Sequence, residues 1–379
     1  MTVEFRYARF GEDSRIREFL DEYWARNHVY VRIPRLFDWT FGRKALWDHD
    51  GYSFVLAENA GQIVGILGGV PFVFNCLGRT SRGMWLANYM VRPDHRKGPT
   101  AMRLLGMFRR PPYDVIVAFG VAATALPIYR LLRWRILDTI PRHFAVLPNA
   151  VERMVQVLHL VHADWPAERL KTLANSFKIN ESPEGPIAQY QEILPSTWNE
   201  YDWPQWAMRT VGGVRDLDYL RWRYLDHPVF HYRVIAIAEG KRTGLAMWRL
   251  ETIRRVTLQG DEAVDRIGRL VEFLPTSQQN AKDILSVFWH ELSKAEAFGA
   301  DYYNYHGETQ GWLKECGFLP VDSHPDGQLI PARFQPLESR SGRIMSAVFV
   351  GNETVPACST DAQCPWYWTK SDADQDRPN

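Results

Sequence analysis

Cysteine is scarce in this chain, with four among 379 residues. Cys76, Cys316, Cys358 and Cys364 are scattered and match no zinc-ligand spacing, so no metal site is predicted. Cys358 and Cys364 are close enough in sequence to pair, and the reading adopted is reduced thiols in a cytosolic protein. Long apolar runs are also missing. Stretches such as Ile63–Phe74 are interrupted by Gly and Pro and are too short to span a bilayer. The opening MTVEFRYARFGEDSRIREFL holds no apolar segment of signal-peptide type, and the expected location is the cytoplasm. Neither sign of charge dominates: 45 basic against 44 acidic residues leave a net charge of +1. Charge therefore gives no reason to expect a nucleic-acid or membrane partner.

What is present is ordinary core material and many rings. Hydrophobic residues make up 46% and charged residues 23%, values of a globular protein. The 15 Trp, 16 Tyr and 19 Phe are read mainly as core, with a surplus that could line a pocket. The length suggests two domains.

Residues 13–27 place Ile16, Phe19, Leu20 and Tyr23 on one helical stripe. Tyr52–Glu58 and Gln62–Phe74 read as a hairpin across Asn59-Ala60-Gly61, and Met84–Val91 as a further strand stopped by Pro93. A basic loop, Asp94–Pro99, leads into a predicted helix at Thr100–Phe108. Residues 113–119 form a continuous apolar strand, Ala123–Trp134 a helix with Pro127 in its first turn, and Ile136–Val146 one more strand. Ala150–His162 and Ala167–Phe177 are helical and belong to a bridge over 150–200, which breaks at Asn180–Gly185. The order then repeats: a short helix at Leu217–Tyr224, a hairpin of Tyr232–Glu239 and Gly244–Thr252, a strand at Arg266–Leu274, a helix at Ala281–Phe298, a strand at Ala300–Tyr305 and a helix at Thr309–Cys316 closed by Gly317. The predicted division is 1–149, a bridge 150–200, 201–338 and a tail 339–379. Within that tail, Ile344–Val350 is strand-like, and the final SDADQDRPN is expected to be flexible or an edge extension, with no core residues.

The stretch YMVRPDHRKGPTAMRLL carries the most chemistry. A strand ends at a Pro, a short basic loop follows, and a helix begins. The first amides of a helix have no internal partners, and with the helix dipole they suit a pyrophosphate. Arg96 and Lys97 add charge, and Gly98 allows close approach. This stretch resembles the phosphate loop of the GNAT (N-acetyltransferase) superfamily, R-x-x-G-x-G/A after a strand ending V-x-P. Arg96 matches its Arg and Ala101 its last small residue, while Pro99 stands where the first Gly is usual and Gly98 one position early. The plain alternative is a basic strand-to-helix turn.

The resemblance implies an α/β fold of two tandem GNAT-like domains, each a mixed, mostly antiparallel sheet flanked by helices. It implies acetyl-CoA as co-substrate, with Asn88, Met90, Val91, Arg96, Lys97, Gly98, Pro99, Thr100 and Ala101 around it. In that family two neighbouring strands part and their edges pair with the pantetheine arm; here those are Asn88–Val91 and Ala118–Val121. A Tyr on the following helix protonates the departing thiolate, and Tyr129 holds that place. The usual Gly-Phe after it is Arg133-Trp134 here.

In the second half, WLKECGF is close to the family's L-x-x-x-G-F ending, but the loop position, Pro275–Asn280, has neither glycine nor basic residues. That half is expected to support the substrate cleft and not to hold CoA tightly. For the general base, Glu272 is a candidate because an acid within an apolar strand needs a reason, the alternative being a partner such as Arg269. His306 is a second candidate. Arg221, Arg223, His227 and His231 cluster with aromatics in Leu220–Tyr232 and are read as packing a domain junction, the alternative being that they read a sugar or phosphate. This segment and the tail resemble two-domain GNAT-like proteins encoded with surface-polysaccharide genes. The implied acceptor is a small-molecule amine, such as an amino sugar or nucleotide-linked sugar, handled by a monomer or homodimer. A FemX-like aminoacyl transferase and a non-catalytic binding module are the competing readings.

Overall fold

The computed structural model describes residues 2–110, 112–180, 201, 203–256, 262–338, 343–351 and 365–378. Its first sheet begins with β1 (Glu4–Tyr7), which the sequence reading missed. β2 (Phe54–Asn59), β3 (Gln62–Cys76) and β4 (Arg79–Val91) continue it in antiparallel order, and β5 (Val115–Phe119) joins β4 in parallel. The apolar stripes of α1 (Asp13–Tyr23), α2 (Val29–Arg32) and α3 (Pro34–Phe41) cover one face of this sheet. The other face packs on α4 (Thr100–Phe108) and α5 (Leu126–Leu131), through Leu104, Leu105, Phe108 and Tyr129. These helices are short, so burial of one face holds them more than propensity does.

The stretch expected as one strand at Ile136–Val146 is two. β6 (Arg135–Leu137) stays at the edge of the first sheet, and β7 (Arg142–Val146) enters the second. Pro141, which has no amide to donate, sits in the break. The boundary drawn at 149 therefore separates β7 from the sheet it belongs to.

Two helices follow, α6 (Val151–Val161) and α7 (Ala167–Ser176), then α8 (Trp203–Arg209). Of the break expected at Asn180–Gly185, the part beyond Asn180 lies outside the described residues. β8 (Val211–Gly213) returns to the first sheet and pairs with β3. The short helix near 217 is α9 (Leu217–Leu220), which runs on as a wider turn through Leu225.

β9 (Arg233–Glu239), β10 (Arg242–Val256) and β11 (Glu262–Leu274) form the antiparallel part of the second sheet. α10 (Gln278–Lys294) ends four residues earlier than its apolar spacing suggested. Glu296 takes a left-handed backbone (φ 55), and Ala297 and Phe298 already belong to β12 (Ala297–Tyr303), a strand buried on both faces. β12 runs parallel to β11 and antiparallel to β7. α11 (Gly307–Glu315) and β13 (Leu319–Pro320) close this sheet, and β14 (Arg333–Phe334) with β15 (Leu337–Glu338) makes a small separate ribbon.

The tail corrects the sequence reading most. β16 (Ser346–Val350) inserts between β5 and β6 in the first sheet, and β17 (Trp366–Tyr367) pairs with β8. The polar end is neither flexible nor an edge: Thr369, Ser371 and Asp372 are fully buried, and Trp366 and Trp368 join the core of the first sheet. Cys358 and Cys364 lie outside the described residues. The architecture is α/β, two mixed sheets flanked by helices. Each sheet takes strands from both halves of the chain.

Candidate functional site

β4 pairs with β3 along its whole length, but the register shifts near its end: Met90 faces Ile66 and Ala87 faces Gly68, so Asn88 and Tyr89 stand against Leu67 alone. This is a β-bulge, and Asn88 adopts the left-handed backbone (φ 50) that such a feature tolerates. On the other side the β4–β5 pairing stops at Leu86 and Ala118. Beyond it β5 turns to its other neighbour, and the amides of Gly120 and Val121 both donate to the Met345 carbonyl. The bulge bends one strand and the tail holds the other, so the two part.

The parting is a cleft of about 170 Å³. Leu86–Tyr89 form one wall, Ala118–Ala122 the other, and Tyr129 the floor from α5. The Asn88 carboxamide is buried with neither its nitrogen nor its oxygen hydrogen-bonded, and the Tyr89 hydroxyl is likewise unpartnered. Buried polar groups without partners are costly, of order 1–3 kcal/mol each, so they point to something that binds there. Burial raises the Tyr89 and Tyr129 pKa values well above the usual phenol value. Both rings stay protonated, as a proton donor must. Tyr129 also packs on Trp134, with ring centroids 4.9 Å apart.

The loop after β4 begins with a helical turn at Pro93–His95. Arg96 folds back so that its Nε donates to the Val91 carbonyl at 2.8 Å. It ties the loop to the end of β4 and leaves the rest of the guanidinium exposed, as is Lys97. Pro99 is the N-cap of α4 and offers no side-chain cap. Among the described residues, the amides of Lys97, Gly98, Thr100, Ala101 and Met102 meet no acceptor. Met90 and Val91 connect this loop directly to the bulged wall. The nine expected cofactor-binding residues thus lie on one continuous path from cleft to helix start, with Tyr129 beside it.

The equivalent turn in the second half is capped by its own side chains. Ser277 caps α10 by accepting from the Asn280 amide, and the Asn280 side chain accepts from the Thr276 amide and donates to the Ile237 carbonyl. They take up two of the amides that an anion would need, those of Thr276 and Asn280.

Neither expected base reaches the cleft. Glu272 lies on β11 with its carboxylate fully buried: Arg215 Nε donates at 2.7 Å, and the Tyr224 and Tyr367 hydroxyls each at 2.8 Å. Burial raises its pKa against the pull of Arg215. Arg215 also forks onto Asp372 of the tail at 2.7 and 2.8 Å. The partner is Arg215 and not Arg269, which pairs with Glu251 and Asp301. Glu272 is thus a joint between the second sheet and the tail. His306 sits before α11, packed on Trp206 and Tyr367, and burial lowers its pKa to about 4. It stays neutral inside the core.

Arg223 and His227 pack the junction as expected, and Arg223 donates to the Ser371 and Asp376 carbonyls of the tail. The sequence reading missed the tail's part in the cleft. Asp374, Gln375 and Arg377 line it, and Gln375 Nε2 approaches the Phe119 carbonyl at 3.4 Å. The available signal was the spacing of Asp372, Asp374 and Asp376 at every second residue. Each acid meets an arginine: Arg215, Arg377 and Arg249 respectively.

No protein-family model matches the chain, and no curated protein matches it. Solved structures do. A GCN5-related N-acetyltransferase from Anabaena variabilis superposes with a TM-score of 0.52 at 11% identity, over 93% of this chain and 73% of that one. The fold is that of the GCN5-related N-acetyltransferases. A probable N-acyltransferase from Enterococcus faecalis gives a TM-score of 0.53 at 12% identity, over 93% and 74% of the two chains. Saccharomyces cerevisiae N-myristoyltransferase with bound myristoyl-CoA gives 0.54 at 9%, over 92% and 82%. At such identities the GNAT fold is what is shared. Among the described residues no helix is long and apolar enough to cross a membrane, and no group of three His, Cys, Asp or Glu could hold a metal ion.

Proposed function

We propose that the chain is an acyl-CoA-dependent N-acyltransferase, with acetyl as the group moved and an amino sugar or nucleotide-linked amino sugar of surface-polysaccharide synthesis as acceptor. The observation that carries this is the parting of β4 from β5 past Leu86 and Ala118, with an uncapped helix start directly after β4. The open amides of Lys97, Gly98, Thr100, Ala101 and Met102 would hold the pyrophosphate, aided by a helix dipole worth about 0.3–2 kcal/mol. The exposed edges at Asn88–Val91 and Ala118–Val121 would pair with the amides of the pantetheine arm. In the transfer the amine nitrogen bonds to the thioester carbon and the carbon–sulfur bond breaks. The Tyr129 hydroxyl donates its proton to the departing sulfur. The amine's proton goes to Asp374, a carboxylate lining the cleft, directly or through water.

The Gln375 contact with the Phe119 carbonyl favours a second reading, a binding module whose own tail takes the place of the arm. One experiment separates the two. Acetyl-CoA is expected to raise the melting temperature by mass action, Arg96→Ala to reduce that rise, and free CoA thiol to appear with an amine panel. No thermal shift and no thiol with any amine would leave only the fold.

A further inference from the structure

Two of the three tail residues that line the cleft also line a larger cavity. It measures about 420 Å³ and lies between the second sheet, the β14 ribbon and residues 370–378. Gln375 and Arg377 border both spaces, so one stretch of chain is the wall between them.

Seven cationic side chains and two carboxylates line this cavity. Some of that charge is neutralised locally. Arg269 pairs with Glu251 and Asp301, and Arg249 Nη2 donates to Asp376 at 2.8 Å. Arg377 pairs with Asp374 and Arg333 with Glu338, which leaves Arg32, Arg343 and Lys370 with no carboxylate partner among the described residues. The Arg249 Nε is buried without a hydrogen-bond partner. Lys370 stacks over the Tyr303 ring at 5.0 Å, and among the described residues no carboxylate lies within ion-pair distance of its ammonium. The same holds for Arg343, which is exposed at the rim. Burial, and after it the nearby Arg269, lower the Lys370 pKa to about 8. The geometry leaves donors open: the Lys370 ammonium and the Arg343 guanidinium have no carboxylate partner among the described residues, and the buried Arg249 Nε has no acceptor, so a bound anion would satisfy them.

We propose that this cavity is the acceptor site and that it binds the phosphate of a phosphorylated amine, with Lys370, Arg343 and Arg249 as its contacts. Calling it an acceptor site rests on the acyl-transfer reading; the phosphate site itself does not. The phosphate could belong to a sugar phosphate or to the diphosphate of a nucleotide-linked sugar. Either would place an amine beside the Gln375–Arg377 wall, next to the cleft.

Two measurements on the full chain test this. The first is calorimetric titration with inorganic pyrophosphate under saturating acetyl-CoA, so that the loop before α4 is occupied. Binding is expected, weakened about tenfold by Lys370→Ala and by Arg343→Ala, the loss of one charge-assisted contact. Arg343 is exposed, so its variant remains informative should the Lys370 variant fold poorly. The second is CoA release with glucosamine, glucosamine 6-phosphate and uridine-diphosphate-linked glucosamine. One of the phosphorylated amines is expected to exceed glucosamine in kcat/KM by about a hundredfold, and which one identifies the source of the phosphate. Pyrophosphate that does not bind, or binds equally to both variants, overturns the proposal, as does equal use of all three amines. If acetyl-CoA fails to bind while pyrophosphate still binds and both variants weaken it, the acyl-transfer reading falls and the phosphate site stands.

Discussion

At the scale of single residues, Tyr129 and Glu272 show how differently a polar group can be used in a core. Tyr129 faces a cleft, and among the described residues no hydrogen bond commits its hydroxyl. Tyr129→Phe is expected to lower kcat about a hundredfold while leaving the KM for acetyl-CoA within about twofold, as loss of a general acid does. An unchanged kcat would assign the ring to packing alone. Glu272 has its carboxylate occupied by Arg215, Tyr224 and Tyr367. Removing its charge leaves Arg215 with Asp372 as its remaining carboxylate. Breaking such a buried pair costs about 3–5 kcal/mol. Glu272→Gln should therefore lower the melting temperature without changing the pH profile of whatever enzyme remains folded. A shifted profile would return Glu272 to the chemistry. Both residues were legible as unusual in the sequence. Their neighbours, which decide their roles, come from positions far away along the chain.

At the scale of elements, the tail carries the surprise. Its composition reads as solvent-exposed, yet Arg215, Arg223 and Arg249 draw its acids and carbonyls into the interior. The paired charges satisfy each other, which is the condition for burying them. Burial works against ionised Asp376, but Arg249 and Arg223 hold its pKa well below the usual carboxylate value. Truncation after Trp368 would remove Asp372 and Asp376 and take tail partners from three buried arginines, Arg215, Arg223 and Arg249. It is expected to give protein that fails to fold or melts far below the full chain, read by circular dichroism. A truncated chain melting with the full one would mean that the tail is an accessory. Most helices and strands were legible, because apolar periodicity survives whatever the partner element is. β6 and β7 were merged because one apolar run served two sheets. α10 was drawn too long because Ala297 and Phe298 suit a strand interior as well as a helix stripe.

At the scale of the molecule, several neutral imidazoles are enclosed. Burial lowers the pKa of His143 and His306 to about 4, and of His28 and His227 to about 3. In the unfolded chain these groups titrate near 6.5, so below that value the unfolded state binds more protons and gains. Stability is expected to be full above pH 7 and to decline as the pH falls from about 6.5 towards 4, by roughly 1–2 kcal/mol per histidine at pH 5. Chemical denaturation at pH 7 and pH 5 measures this, and equal midpoints would mean that these rings are solvated. The same enclosure makes the two halves one unit. β7 lies in the second sheet and β16 in the first, so neither sheet is complete without strands from the other half of the chain.

By itself the sequence determined the α/β pattern, the strand–loop–helix of residues 84–108 and the place of Tyr129. Each of these depends on residues close together in the chain, through periodicity, a proline stop and an uncapped helix start. Which strand joins which sheet, how far β4 and β5 part, and whether a buried acid is a base or a joint depended on tertiary structure. Those outcomes are set by pairings such as Arg215 with Asp372 and β5 with β16. Their partners lie more than a hundred residues apart, and no local pattern records them.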